Sequence, residues 1–140
     1  TYYEHETGTD QINAGGAVTS VLGEITSGDF DITQKRSAQG QMIGAPDLRG
    51  DGEYLMKIRR FIPDFITQTG DTRITLMLRN YPNNAAASSS LGPFTITSST
   101  DKVDTRARAR AIALKVQNTA AAQDWKLGTF RLDIQPDGRR

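Results

Sequence analysis

The sequence predicts an all-β protein, an antiparallel β-sandwich of seven to eight short strands with long loops. Short segments alternating apolar and polar residues recur along the chain, and clusters of glycine, proline and asparagine separate them. Helix-like spacing competes with strand spacing in one stretch alone.

The elements follow in order. "TYYEHET" (1–7) alternates and then meets the turn-rich "GTDQINAGG". "AVTSVLGEITSGDFDIT" (17–33) is β-branched and punctuated by Gly23 and Gly28, which predicts a bulge or a hairpin. "QKRSAQGQMIGAPDLRGDG" (34–52) has little periodicity and reads as a long surface loop. "EYLMKIRRFI" (53–62) runs to Pro63 with Tyr54, Met56 and Ile58 on one face and Leu55 and Phe61 on the other, as in a central strand. "DTRITLMLRNYP" (71–82) puts Ile74, Leu76 and Leu78 inward, with Thr75 and Arg79 outward. "NNAAASSSLG" (83–92) reads as a low-complexity loop, and "GPFTITSST" (92–100) as a strand with Phe94 and Ile96 on one face. In "DWKLGTFRLDIQPDGRR" (124–140), Trp125 and Leu127 precede Gly128 and Phe130, Leu132 and Ile134 follow it. That one-residue change of phase predicts a β-bulge at Gly128.

The ambiguous stretch is "KVDTRARARAIALKVQN" (102–118), where Arg106, Arg108 and Arg110 lead into Ile112, Leu114 and Val116 at the same two-residue beat. Alanine and arginine favour helix. On a helix, however, Arg106 and Arg110 stack as like charges at i, i+4. The reading is therefore a single strand, arginines and aliphatics on one face and Ala107, Ala109, Ala111 and Ala113 on the other, with another layer packed close to the alanines.

At 140 residues the chain fits one domain, residues 1–140. The 36% hydrophobic and 24% charged composition is that of an ordinary globular fold, and no stretch nears the ~20 apolar residues of a membrane helix, so no membrane insertion is expected. With no cysteine there are no disulfides, thiolate metal sites or cysteine nucleophiles. The strand-like opening at Thr1 suggests a domain belonging to a longer polypeptide. Net charge is +1 but uneven: seven acids and three bases in residues 1–50, five acids and nine bases in residues 101–140. That asymmetry reads as an acidic face and a basic face pairing between subunits or as a weak anion-binding end, and the total is too small for general nucleic-acid binding.

Catalytic constellations are sparse. His5 is the only histidine, and Glu4 and Glu6 on a strand point away from it. Asp29 and Asp31 share a strand face and offer oxygens to Ca²⁺, with Asp47, Asp51 or Glu53 as further donors, but an acid-flanked buried Phe30 is the plainer account. Glu24, Asp64 and Asp71 are too scattered for an acid/base pair. Tyr2, Tyr3 and Tyr81 are candidates for sugar stacking. No enzymatic role, cofactor or metal is expected. The remaining candidates are the arginines, Arg106, Arg108 and Arg110 with the terminal Arg139 and Arg140, read as either a solvated edge that discourages aggregation or an interface row meeting a neighbour's acids.

The closing residues, "VDTRARARAIALKVQN…DWKLGTFRLDIQPDGRR", resemble the C-terminal end of the tail proteins of short-tailed bacteriophages, of the nozzle or stabilisation kind. Those chains close with an arginine-rich strand, a W-(R/K)-L-G segment and a terminal PDGRR. "TYYEHETG", "SGDFDI", "RRFIPDF" and "GPFTIT" extend the likeness, while Ala109 departs from a glycine that the family has between its arginines. The resemblance implies a structural component of the virion tail and the C-terminal part of a longer chain. Its implied partners are copies of itself in a ring and other tail proteins, with transient contact with passing DNA. A receptor- or carbohydrate-binding module on the virion is the rival expectation.

Overall fold

In this computed structural model, residues 10–12, 14–32, 54–81, 89–118, 120 and 122–138 are described, and they contain nine strands and no helix. These are β1 (Asp10–Ile12), β2 (Val18–Ser20), β3 (Glu24–Thr26), β4 (Met56–Thr69), β5 (Thr72–Arg79), β6 (Ser89–Ile96), β7 (Val103–Ala109), β8 (Ala111–Gln117) and β9 (Asp124–Pro136). Seven of them build two antiparallel sheets, one ordered β3-β8-β5-β6 and the other β7-β4-β9, while β1 and β2 form a separate two-stranded hairpin. The two sheets pack face to face as a β-sandwich.

The core lies where the inward residues of both sheets meet. Met56, Ile58 and Phe61 of β4, Ile74 and Leu76 of β5, Ile112 and Val116 of β8 and Ile32 are all at most 1% exposed. Phe61 sits at the centre, edge-on to Phe94 of β6 at 5.5 Å and stacked on Phe130 of β9 at 5.4 Å. Aromatic pairs at this spacing add attraction beyond the area they bury. The alternation read in β5, β6 and β9 holds: Ile74 and Leu76 are buried, Phe94 and Ile96 share the inner face, and β9 changes phase at Gly128. There Pro63 faces Phe130 and Phe65 faces Leu127, so Gly128 and Thr129 together oppose Asp64. A Cβ on Gly128 would lie 2.9 Å from the Asp64 carbonyl oxygen, which is why the bulge carries glycine.

The arginine-to-aliphatic row is not one strand. It breaks at Arg110 into β7, in the three-stranded sheet, and β8, in the four-stranded sheet. In β7 the odd positions face the core, so Ala107 and Ala109 are fully buried while Arg106 and Arg108 face solvent. Past the corner the parity reverses and Ile112, Leu114 and Val116 turn inward. The charges and the aliphatics therefore occupy opposite faces. A chain crossing between packed sheets must turn a corner, and a turn resets the two-residue beat. The alanines of β7 are small because the opposite sheet packs directly on them.

Four other expectations change. The stretch 17–33 does not form a hairpin within itself: β2 pairs with β1, β3 pairs with β8, and Phe30 bridges Ile112. β4 does not stop at Pro63 but continues to Thr69, because β7 pairs with it only as far as Phe61 and leaves one edge of β4 open at the proline. Phe61 lies on the same face as Met56 and Ile58, since Arg59 and Arg60 both point outward between them. The tract 83–92 contributes Ser89–Gly92 to β6. The expected strand 1–7 lies outside the described residues, as does all of the expected loop 34–52.

Candidate functional site

The outward side of the three-stranded sheet is built around one irregularity. Along β4 and β7, Ile58 faces Ala107 and Arg60 faces Asp104, so Thr105 and Arg106 together oppose Arg59. Along β4 and β9, Ile58 faces Ile134 and Arg60 faces Asp133, which makes Arg59 an extra residue on that side too. Bulges re-aim side chains. Here the bulge sends Arg59 and Arg60 outward together, beside Lys57 and next to Arg106 of β7.

Like charges gathered this way repel, and part of the repulsion is offset inside the chain. Arg60 Nε donates to Asp104 Oδ1 at 2.9 Å, and Lys102 Nζ lies 3.7 Å from the other carboxylate oxygen. The hydrogen bond from Arg60, aided by the charge of Lys102, holds the Asp104 carboxyl below the usual carboxylate range. Lys57 directly opposes Arg108, whose Nε donates to Asp137 Oδ2 and whose Nη2 donates to the Asp137 carbonyl at 3.2 Å.

Lys57, Arg59 and Arg106 are left over. None of the three meets an acid at ion-pair distance among the described residues. With Asp104 and Thr105 they line an open hollow of about 490 Å³. Thr105 is an inward position of β7, and its buried Oγ1 has no hydrogen-bond partner among the described residues. Three cations can hold a carboxylate or a phosphate by charge and by donated hydrogen bonds.

The row read in the sequence is thus divided. Arg106 belongs to this hollow, whereas Arg108 and Arg110 border a second one of about 260 Å³ with Leu55, Asn80 and Tyr81. Tyr81 is 67% exposed there. No family model matches the chain, and no curated protein matches it.

The other sequence candidates are placed as follows. Asp29 accepts from Arg79 Nη1 at 2.8 Å, and Glu24 pairs with Lys115 at 3.0 Å, so these two acids of the first third are engaged within the chain. No group of three or more metal-capable side chains occurs among the described residues. Arg139, Arg140, His5, Tyr2, Tyr3, Asp47, Asp51 and Glu53 lie outside the described residues. Sequence reasoning missed Lys57, Arg59 and Thr105. A signal was present: "RR" before Phe61 breaks the alternation of "YLMKIRRFI", and a doubled charge in an otherwise alternating strand marks a bulge.

Proposed function

We propose that this chain is a non-enzymatic structural domain of a bacteriophage tail, of the nozzle or hub kind, which acts in tail assembly by packing against copies of itself and other tail proteins. The resemblance of the closing stretch supplies the setting, the virion tail. The observation that carries the reading is the basic hollow, where Lys57, Arg59 and Arg106 meet no acid at ion-pair distance among the described residues. Arginines turned outward by a bulge suit carboxylates presented by a neighbouring protein, whose arrival sets register and relieves the repulsion. In a ring such contacts are heterologous, one face of a copy meeting a different face of the next. Transient contact with passing DNA is a further use of the same cations.

Two experiments test it. Antibodies against the domain should decorate the tails of intact phage particles, and labelling elsewhere would refute the location. Light scattering of the 140-residue chain should show an oligomer larger than two that dissociates as salt rises. Arg59→Glu combined with Arg106→Glu should abolish it. Oligomers indifferent to salt and to these changes would remove the basic hollow from assembly.

One observation favours a second reading, a receptor- or carbohydrate-binding module. Tyr81 presents an exposed ring at a hollow shared with Asn80, Arg108 and Arg110, which offers a stacking surface beside charged donors. Saturable glycan binding lost in Tyr81→Ala would support it.

A further inference from the structure

Among the described strands, the longest open edge is that of β9. It pairs with β4 along its length, and among the described residues no strand pairs with its other side. Trp125, Leu127, Phe130, Leu132 and Ile134 point inward from it, yet each is only partly buried. Lys126, Arg131 and Asp133 point outward and are exposed. A strand with half-covered apolar residues and unpaired backbone groups is a template for another strand.

We infer that β9 recognises β9 of a second copy, antiparallel, joining two three-stranded sheets into one of six strands. A two-fold axis perpendicular to a sheet must place some residue opposite its own copy. With Phe130 on that axis, the bulge at Gly128–Thr129 supplies the offset that keeps inward residues opposite inward residues. Arg131 then faces the bulge of the other strand, Leu132 faces Leu127, Asp133 faces Lys126 and Ile134 faces Trp125. Directly opposed side chains lie about 5 Å apart, so two Asp133–Lys126 ion pairs form, flanked by apolar pairs on the inner face. The bulge is what makes the strand self-complementary. Without it, pairing about Phe130 would put Leu132 opposite the outward Gly128. Moving the axis to Leu132 pairs Asp133 with Arg131 instead, but it leaves Trp125 uncovered and brings Pro136, which has no N–H, into the ladder.

This contact goes beyond the assembly reading and does not depend on it. It is isologous and closes at two copies, whereas a heterologous ring contact does not. Its failure and the failure of the ring reading are separable, because the Arg59 and Arg106 changes lie on β4 and β7 rather than on β9.

The experiment uses the 140-residue chain, which has no cysteine of its own. With the ring contact removed by Arg59→Glu and Arg106→Glu, sedimentation should show a concentration-dependent dimer that Lys126→Asp weakens about tenfold or more and that Lys126→Asp with Asp133→Lys restores. Arg131→Glu should leave it intact. In a Lys126→Cys, Asp133→Cys chain, oxidation should yield covalent dimers, since about 20 Å of strand separates the two positions within one copy. A monomer at every concentration would overturn the proposal and return the charges of β9 to edge protection. Sensitivity to Arg131→Glu but not to Lys126→Asp would overturn this register in favour of the one centred on Leu132.

Discussion

Single side chains decide two things that no pattern in the sequence displays. Asn118 is only 5% exposed, and it stands where three segments meet. Its Oδ1 accepts from the Gly23 N–H at 2.6 Å, while its Nδ2 donates to the Val21 carbonyl at 3.1 Å and to the Gln123 carbonyl at 3.5 Å. Asn118→Ala strands these backbone groups in a part-buried place, so urea unfolding should show a loss of about 1–3 kcal/mol. Nothing in "VQNTAAA" announces this role, because the partners of Asn118 are distant in the chain or polar only through their backbone. Asp104 is the second case. Its pKa is lowered in the folded state by Arg60, then by Lys102. A carboxyl with a depressed folded pKa adds stability above its unfolded value, about 3.9, and loses that contribution as pH falls through the folded value. Thermal melts of Asp104→Asn should therefore fall slightly below the parent at pH 6 and converge with it in acid. The offset should be small, because the pair is exposed to solvent.

At the scale of elements, legibility followed the two-residue beat. β5 and the two halves of β9 alternate without interruption, and their inner faces could be read residue by residue. β4 and the β7–β8 pair were misread where a bulge or a corner changes the phase, at Arg59 and at Arg110. Gly128 shows the difference: there the phase change coincides with a glycine, and the bulge was legible. At Arg59 no glycine marks it, since both residues point into solvent and need no close approach. The same contrast locates what was legible of the site. Arg106 and Arg108 could be nominated as outward charges, but Lys57 and Arg59 reach Arg106 only because antiparallel pairing brings β4 alongside β7. Gly128 is also the element-scale test. Gly128→Val places a Cβ 2.9 Å from the Asp64 carbonyl oxygen and 3.1 Å from Ile66 Cγ1. The two strands must separate or the bulge must migrate, at a cost of about 1–3 kcal/mol measured by urea unfolding. Thr129→Val, at the other residue of the same bulge, tests whether the cost is specific to the glycine and should be close to neutral.

For the whole molecule, the sandwich has one well-flanked half and one that thins out. β5 and β8 have a strand on each side and supply Ile74, Leu76, Leu114 and Val116 to the core. β4 is flanked by β7 only up to Phe61, and from Ile62 to Thr69 it pairs, among the described residues, with β9 alone. On that extension Phe65 and Trp125 hold edge-on at 6.3 Å, but Ile66 is 63% exposed. Amide exchange reports the free energy of local opening, and a two-stranded ribbon opens more readily than a strand held on both sides. The amides of Ile74, Leu76 and Val116 should therefore exchange last, and those of Ile66–Thr69 about a hundredfold sooner, a gap of ~2.7 kcal/mol. Dilution sharpens the test. If two copies pair through β9, raising the concentration should slow amides of β9 while leaving the open edge of β4 at Ile62–Thr69 little changed, because only β9 gains a neighbour. Protection that rises along the β4 edge instead would mean that a second copy docks on the other side of the ribbon. Uniform protection of β9 at every dilution would mean that its edge is already covered within one chain.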